Sequence, residues 1–240
     1  MRINFKRVNL SVKNQFSKYA KEYKNHNIIQ QIVAKSLVRE LKFQPKKILE
    51  LGCGSGQVFN HISWELEFYK AIDFSASMCE LHPKGRNIEV KCFDFDTQEF
   101  LDEIKDNNYD IVLSSSALQW SKDLSKIIKH LSFITNEINA VLFTSNTFKK
   151  IQEITNTKSP ILDEISIKEA FSKYFSCEFE TILYKLEFDS KKDLFDYIKK
   201  SGVSGGNASL DFTDAKKLYK NYDLNYLEFE VIFVKTISKL

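Results

Sequence analysis

Three of the seven glycines in this 240-residue chain, Gly52, Gly54 and Gly56, fall within five residues, directly behind a compact apolar run at 47–51. Glycine adopts backbone conformations that a Cβ resists and lets the main chain approach a ligand closely. An apolar strand leading into such a turn, with a helical pattern at 57–65 presenting its first N–H groups, is the setting in which a glycine loop binds a ligand. Short apolar runs recur at 68–73, 88–93, 109–114 and 140–145, separated by helical patterns at 76–82, 98–105 and 123–134. This alternation predicts an α/β fold, a doubly wound, mostly parallel sheet covered by helices on both faces.

The flanks extend that core. Phe16, Tyr19, Ala20, Tyr23, Ile28, Ile29, Ile32, Val33, Leu37, Val38 and Leu41 recur at helical spacing. They predict two helices, broken around Asn25, His26 and Asn27 and stopped by Pro45. Beyond the fifth run, 147–157, 167–174, 191–201 and 213–221 read as helices. Residues 177–188 and 226–237 read as strands, with Phe229, Val231 and Phe233 on one face. An antiparallel terminal hairpin brings the sheet to seven strands, with a small helical cap inserted. The expected organisation is a single domain over 1–240: an N-terminal helical lid at 1–44, a cofactor-binding core at 45–146, and cap helices with terminal strands at 147–240.

Composition narrows the function. With 35 Lys+Arg against 32 Asp+Glu the net charge is only +3, which rules out a polybasic nucleic-acid coat. Hydrophobic residues at 43% support a folded core, and 20 Phe and 10 Tyr are more than a minimal core needs, so some are expected to line a cavity. Cys53, Cys79, Cys92 and Cys177 are widely spaced with no Cys-x-x-Cys pair, and the four histidines lack metal-ligand spacing. Neither a metal nor a disulfide framework is expected. The charged N-terminus has no signal-peptide core, and no run approaches the roughly 18 apolar residues of a membrane span. The chain therefore reads as cytoplasmic and reduced. The triple serine at 114–116 lacks a Gly-x-Ser-x-Gly elbow, which disfavours hydrolase chemistry.

Two ligands compete for the loop formed by Glu50, Leu51, Gly52, Cys53, Gly54, Ser55 and Gly56. A dinucleotide fold expects Gly-x-Gly-x-x-Gly facing a pyrophosphate. Here the third glycine comes one residue early and the carboxylate of Glu50 precedes the loop. That carboxylate repels phosphate but suits S-adenosylmethionine, with its sulfonium and amino groups. Asp73, about 20 positions on, is placed to accept ribose hydroxyls, or in the plainer reading to cap a helix. Phe74 and Met78 would flank an adenine, Asp94 would receive its amino group and Phe95 would cover its ring. The loop after the fourth strand, ending in Gln119 and Trp120, should border the reacting centre, because ligands of open α/β sheets bind beyond the carboxyl ends of the strands.

Together Glu50 to Gly56, Asp73, Asp94 and the Tyr109-Asp110 strand resemble the class I S-adenosylmethionine-dependent methyltransferases, a Rossmann-like fold. The run Phe16-Ser17-Lys18-Tyr19-Ala20-Lys21-Glu22-Tyr23, followed by Gln30, is similar to the opening helices of the malonyl-acyl-carrier-protein O-methyltransferases of biotin biosynthesis. Their fourth-strand loop reads Ser-Asn-x-Ala-x-Gln-Trp, matched here from Ser114 to Trp120 except at Ser115. The segments 145–151 and 194–202 and the terminal strand are also similar. Asn136-Glu137-Ile138-Asn139 stands where that family usually has Gly-Gly, and a common arginine of the preceding helix is missing.

The resemblance implies methyl transfer from S-adenosylmethionine to the free carboxylate of a malonyl thioester on acyl-carrier protein, or on coenzyme A, forming a methyl ester. It places Ser114, with the glycine loop, at the cofactor. A carboxylate with a pKa of roughly 3.5–4.5 is already ionised at neutral pH, so no general base is expected. Tyr19 and Tyr23 on the lid, with Gln119 and Trp120, are the candidate orienting residues. Lys122, Lys126 and Lys129 at i, i+4, i+7, with Lys149 and Lys150, form a candidate docking patch for an acidic carrier protein. The enzyme is expected to be a monomer, with neither nucleic acid nor membrane as partner. The alternatives are a trans-aconitate-type methyltransferase acting on a small carboxylic acid, and a non-catalytic cofactor-binding scaffold.

Overall fold

The computed structural model describes residues 27–105, 107–200 and 212–240. Tyr19, Tyr23 and the first of the two expected N-terminal helices lie outside the described residues. Helix α1 (Ile28–Arg39) leads into β1 (Lys47–Leu51), β2 (Phe68–Asp73), α2 (Ala76–Leu81), β3 (Ile88–Cys92), α3 (Gln98–Ile104), β4 (Ile111–Ser115), α4 (Leu124–Ile134) and β5 (Ile138–Phe143). Then come α5 (Lys149–Thr155), α6 (Glu164–Ser172), β6 (Phe175–Glu187), α7 (Lys191–Lys200), α8 (Phe212–Asn221) and β7 (Tyr226–Lys239). The seven strands form one sheet in the order β3-β2-β1-β4-β5-β7-β6. β1 to β5 are parallel, and β7 runs antiparallel to both β5 and β6. Among the described residues, no helix is long and apolar enough to cross a membrane.

Alternate side chains of each strand feed two cores, as the two-residue period requires. Ile48, Tyr69, Ile111, Leu113, Val141, Phe229 and Val231 face α1, α7 and α8. Leu49, Leu51, Ile72, Val112, Ala140, Leu142 and Ile232 face α3, α4 and α6. Phe233 packs against the first core, so the face expected for Phe229, Val231 and Phe233 is the one observed. Every residue of β5 is buried, which explains why that run reads as continuously apolar. Helices α2, α3, α4 and α6 start at Ser75, Thr97, Asp123 and Asp163, whose side chains accept N–H groups of the first turn.

Several local expectations are corrected. No α-helix follows the glycine loop at 57–65. The chain makes only a 3₁₀ turn, Phe59–His61, and leaves it extended at Ile62. Trp64 then donates its indole N–H to the Pro45 carbonyl at 2.8 Å, tying this stretch to the start of β1. On α1 the buried stripe is Ile29, Gln30, Val33, Ala34, Leu37 and Val38, while Ile28 and Ile32 are more than 40% exposed (43% and 42%). β5 begins at Ile138 rather than 140, because the Ile138 N–H reaches Thr236 Oγ1 at 2.8 Å. The preceding turn is closed by the Thr135 hydroxyl on the Glu137 N–H and uses no residue of positive φ, so it functions without a Gly-Gly pair.

Candidate active site

β1 pairs with β2 on one side and β4 on the other, so the connections leaving β1 and β4 diverge to opposite sides of the sheet. A crevice opens at the carboxyl ends of the strands at such a switch point. Here it is a solvent-open cleft of about 600 Å³. Its lining includes Glu50, Gly52, Cys53, Gly54, Asp73, Phe74, Met78, Phe95 and Trp120, all expected from the sequence. Gln30, Gln57, Val58, Ser115, Ser116 and Ala117 complete it.

The loop has its tight form for steric reasons. Gly52, Gly54 and Gly56 have φ of 73°, 52° and 90°, where L side chains are strained. A Cβ on Gly52 would stand 2.0 Å from Ala117 Cβ, so the β1 loop closes directly onto the β4 loop. Four of the loop's N–H groups are spent internally. Those of Gly52 and Cys53 donate to the Ile72 carbonyl at 2.7 and 3.0 Å, and that of Gly56 to the Cys53 carbonyl at 2.9 Å. The Gly54 N–H donates to Asp73 Oδ2 at 2.9 Å. With Glu50 and Asp73 also in the wall, a pyrophosphate would meet occupied donors and two acidic side chains, whereas a ligand with a positive centre meets compatible charge.

Asp73 is no helix cap; Ser75 fills that role for α2. Its Oδ1 accepts the Ser75 N–H at 2.9 Å and its Oδ2 the Gly54 N–H, leaving each oxygen the capacity for a further hydrogen bond. Burial raises its carboxyl to about 6, against the opposing pull of those two N–H groups, and Glu50 adds to the rise. Glu50 is fully buried, accepts a short hydrogen bond from the Tyr69 hydroxyl, and has His82 Nε2 at 3.9 Å. Burial, followed by the Glu50 carboxylate, pushes the Tyr69 hydroxyl well above its ordinary range, so it stays a donor.

The structure also draws together thiols that are distant in sequence. Cys79 lies beside Cys53 and Cys92, and its thiol reaches the Asp73 carbonyl at 3.5 Å. The contact with Cys79 and burial push the Cys53 thiol up.

Four residues expected at the ligand are not among those lining the cleft. Gly56 is packed against Pro83 and His82. The Asp94 carboxylate accepts the Asp96 N–H at 3.0 Å and shapes the turn into α3. Ser114 Oγ donates to the Leu51 carbonyl at 2.9 Å, clamping β4 to β1. Gln119 is buried and donates Nε2 to the Ser116 carbonyl at 2.8 Å, bracing the loop from behind. Lys122 precedes α4 instead of lying on it, its N–H held by the Asp96 carboxylate; Lys126 and Lys129 are exposed on α4, and Lys149 and Lys150 begin α5.

Three lining residues that sequence reasoning did not select carry unpaired buried atoms: Gln30 Oε1, Ser115 Oγ and Ser116 Oγ. Ser116 is held at φ 61°, an uncommon conformation for serine at the rim of a cleft. A polar residue inside the apolar stripe of α1 was the legible signal for Gln30. Ser115 stood out in the sequence as the departure from the Asn of the resembled loop, whereas nothing local distinguished Ser116.

The seven strands are ordered as in the class I methyltransferase fold, with the cleft at its switch point, and residues 49–136 match the family described as a methyltransferase domain. Among curated proteins, the chain is similar to the malonyl-[acyl-carrier protein] O-methyltransferase of Bacillus cereus, 25% identical over 217 residues that cover 80% of each chain. Among solved structures, it resembles the YcgJ protein from Bacillus subtilis with a TM-score of 0.64 at 12% identity, covering 87% of this chain and 99% of that one. It also resembles the magnesium protoporphyrin IX methyltransferase of Synechocystis PCC 6803, solved with bound SAH, with a TM-score of 0.52 at 14% identity, covering 85% of this chain and 82% of that one. These structural likenesses concern the fold.

Proposed function

We propose that this chain methylates the free carboxylate of a malonyl thioester on acyl-carrier protein, an early step toward the pimeloyl moiety of biotin. The observation that carries the donor is a glycine loop with internally bound N–H groups beside Glu50 and Asp73, which favours a cationic ligand over a phosphate. The acceptor is supported by the sequence similarity to the Bacillus cereus enzyme, which spans most of both chains.

S-adenosylmethionine supplies an electrophilic methyl group on a sulfonium. Asp73 takes the ribose hydroxyls on its remaining lone pairs, Phe74, Met78 and Phe95 enclose the adenine, and Gly52, Cys53 and Gly54 form the floor. Gly56, Asp94, Ser114 and Gln119 hold those residues in place. Trp120 shapes the acceptor side, and Tyr19 and Tyr23 are the proposed orienting pair of the lid. The acceptor oxygen bonds to the methyl carbon as the carbon–sulfur bond breaks and its electron pair stays on sulfur. No proton moves, so the protein's work is alignment at about 3–3.5 Å and exclusion of water. The single domain over 1–240, with its lid at 1–44, is the proposed working unit, and Lys126 and Lys129, with Lys122, Lys149 and Lys150, the proposed docking face for the carrier.

Mass spectrometry of malonyl-acyl-carrier protein after incubation with the chain and S-adenosylmethionine tests the proposal. A single added methyl group, removed by mild alkali, is the expected result. Methylation of free dicarboxylic acids with none on the thioester would overturn the acceptor.

A further inference from the structure

Gln30 is the polar member of the buried stripe of α1, only 3% exposed, and it lines the cleft. Its Oε1 has no hydrogen-bond partner. Buried amide oxygens are nearly always paired, and one left open beside a cleft calls for a donor supplied by a ligand.

The position of α1 says which end of the ligand that donor belongs to. Asp73, Phe74, Met78 and Phe95 come from the β2 and β3 side of the glycine loop, whereas α1 packs over β4 and β5 on the other side. A ligand with its ribose at Asp73 therefore extends its opposite end past Gly52 toward Gln30, Ser115 and Ser116. The unpaired atoms there are an amide oxygen and two hydroxyls. No lysine or arginine is among the described lining residues. Such a corner accepts hydrogen bonds and carries no positive charge, which suits an ammonium group.

We infer that Gln30 Oε1 accepts a hydrogen bond from the α-ammonium group of the methionyl end of S-adenosylmethionine, making Gln30 a cofactor-binding residue contributed by the N-terminal helix. The inference rests on the methyl-donor reading proposed above. It gives α1 a second task besides covering the sheet, fixing the amino-acid end of the donor so that the sulfonium faces the acceptor.

Isothermal titration calorimetry with two probes tests it. S-adenosylhomocysteine carries the amino-acid end, and 5′-methylthioadenosine has the same nucleoside and sulfur without it. Gln30→Leu should weaken S-adenosylhomocysteine about tenfold, the loss of one charge-assisted hydrogen bond, and leave 5′-methylthioadenosine unchanged. Gln30→Glu, which keeps shape and acceptor, should bind S-adenosylhomocysteine as well as the wild type or better. Equal weakening of both probes by Gln30→Leu, or no change in either, overturns the inference. A tenfold loss in Gln30→Glu overturns it as well, and that arm decides the matter if Gln30→Leu does not fold. A wild-type chain that binds neither probe overturns the methyl-donor reading itself, whereas wild-type binding with an unchanged probe ratio in Gln30→Leu overturns this inference alone.

Discussion

The carboxylate of Asp73, at the end of β2, accepts the backbone N–H of Gly54 at 2.9 Å and so holds the loop that leaves β1. One side chain thus shapes the glycine turn and faces the ligand space. Its removal should affect both. Asp73→Asn is expected to raise the dissociation constant for S-adenosylhomocysteine about ten- to a hundredfold, as for hydrogen bonds to a charged group, measured by calorimetry at neutral pH.

The same carboxylate makes stability depend on pH. Its folded value of about 6 lies above the ordinary 3.8, so folding favours the protonated form. Its stabilising contribution is complete below about 3.8 and is lost as the pH rises through about 6, by at most about 3 kcal/mol. Denaturant midpoints of the wild type and Asp73→Asn should therefore shift against the wild type as the pH is raised from about 4.5 to about 7. A pH-independent difference would show that Asp73 does not titrate in this range. Wild-type affinity for S-adenosylhomocysteine should run the other way and fall as the pH drops below about 6.

Gly52 and Gly54 share a positive φ but have different neighbours. A Cβ on Gly52 meets Ala117 at 2.0 Å, whereas one on Gly54 meets nothing within 4 Å. Gly52→Ala should lose about 2–4 kcal/mol through overpacking added to backbone strain, and Gly54→Ala only about 1 kcal/mol. Thermal denaturation ranks them, and equal losses would mean that strain alone governs the loop.

Tyr69 donates its hydroxyl to the buried carboxylate of Glu50. Tyr69→Phe keeps the ring and its edge-on contact with Phe59 but leaves that carboxylate one donor short. A stability loss of about 1–3 kcal/mol in urea titration is expected. A neutral outcome would show that Glu50 finds another donor.

Replacing Lys126 and Lys129 together by glutamate should raise the Michaelis constant for a malonyl carrier protein several-fold, leave turnover unchanged, and lose its effect at about 1 M salt, where charges are screened within about 3 Å. An effect that persists at high salt argues against charge-guided docking on α4.

Thiol reactivity should follow burial. Cys92 is exposed and Cys53 and Cys79 are buried, while burial raises Cys177 to about 11. Timed alkylation read by peptide mass spectrometry should label Cys92 first and Cys53 only on unfolding. Early labelling of Cys53 would mean that the loop opens readily.

Much of the architecture was legible before any coordinates, because its signals are local. Two-residue alternation and unbroken apolar runs mark strands, and 3.6-residue spacing marks helices. The order of strand and helix then leaves few parallel sheets to choose from. The glycine loop, Asp73, Phe74, Met78, Phe95 and Trp120 were legible too, since they sit where β1 to β4 end. Proximity between distant segments was not. Ile28 and Ile32 share the apolar spacing of α1, yet the sheet accepts the stripe that contains Gln30. Ser114 and Ser115 are chemically alike neighbours, yet the pleat of β4 turns the first onto Leu51 and leaves the second at the cleft. Asp94 lies just past β3 and Asp73 ends β2, yet only Asp73 meets the Gly54 N–H. Hydrogen-bond partners and unfilled acceptors belong to pairs of segments packed against each other, and only the assembled sheet brings those pairs together.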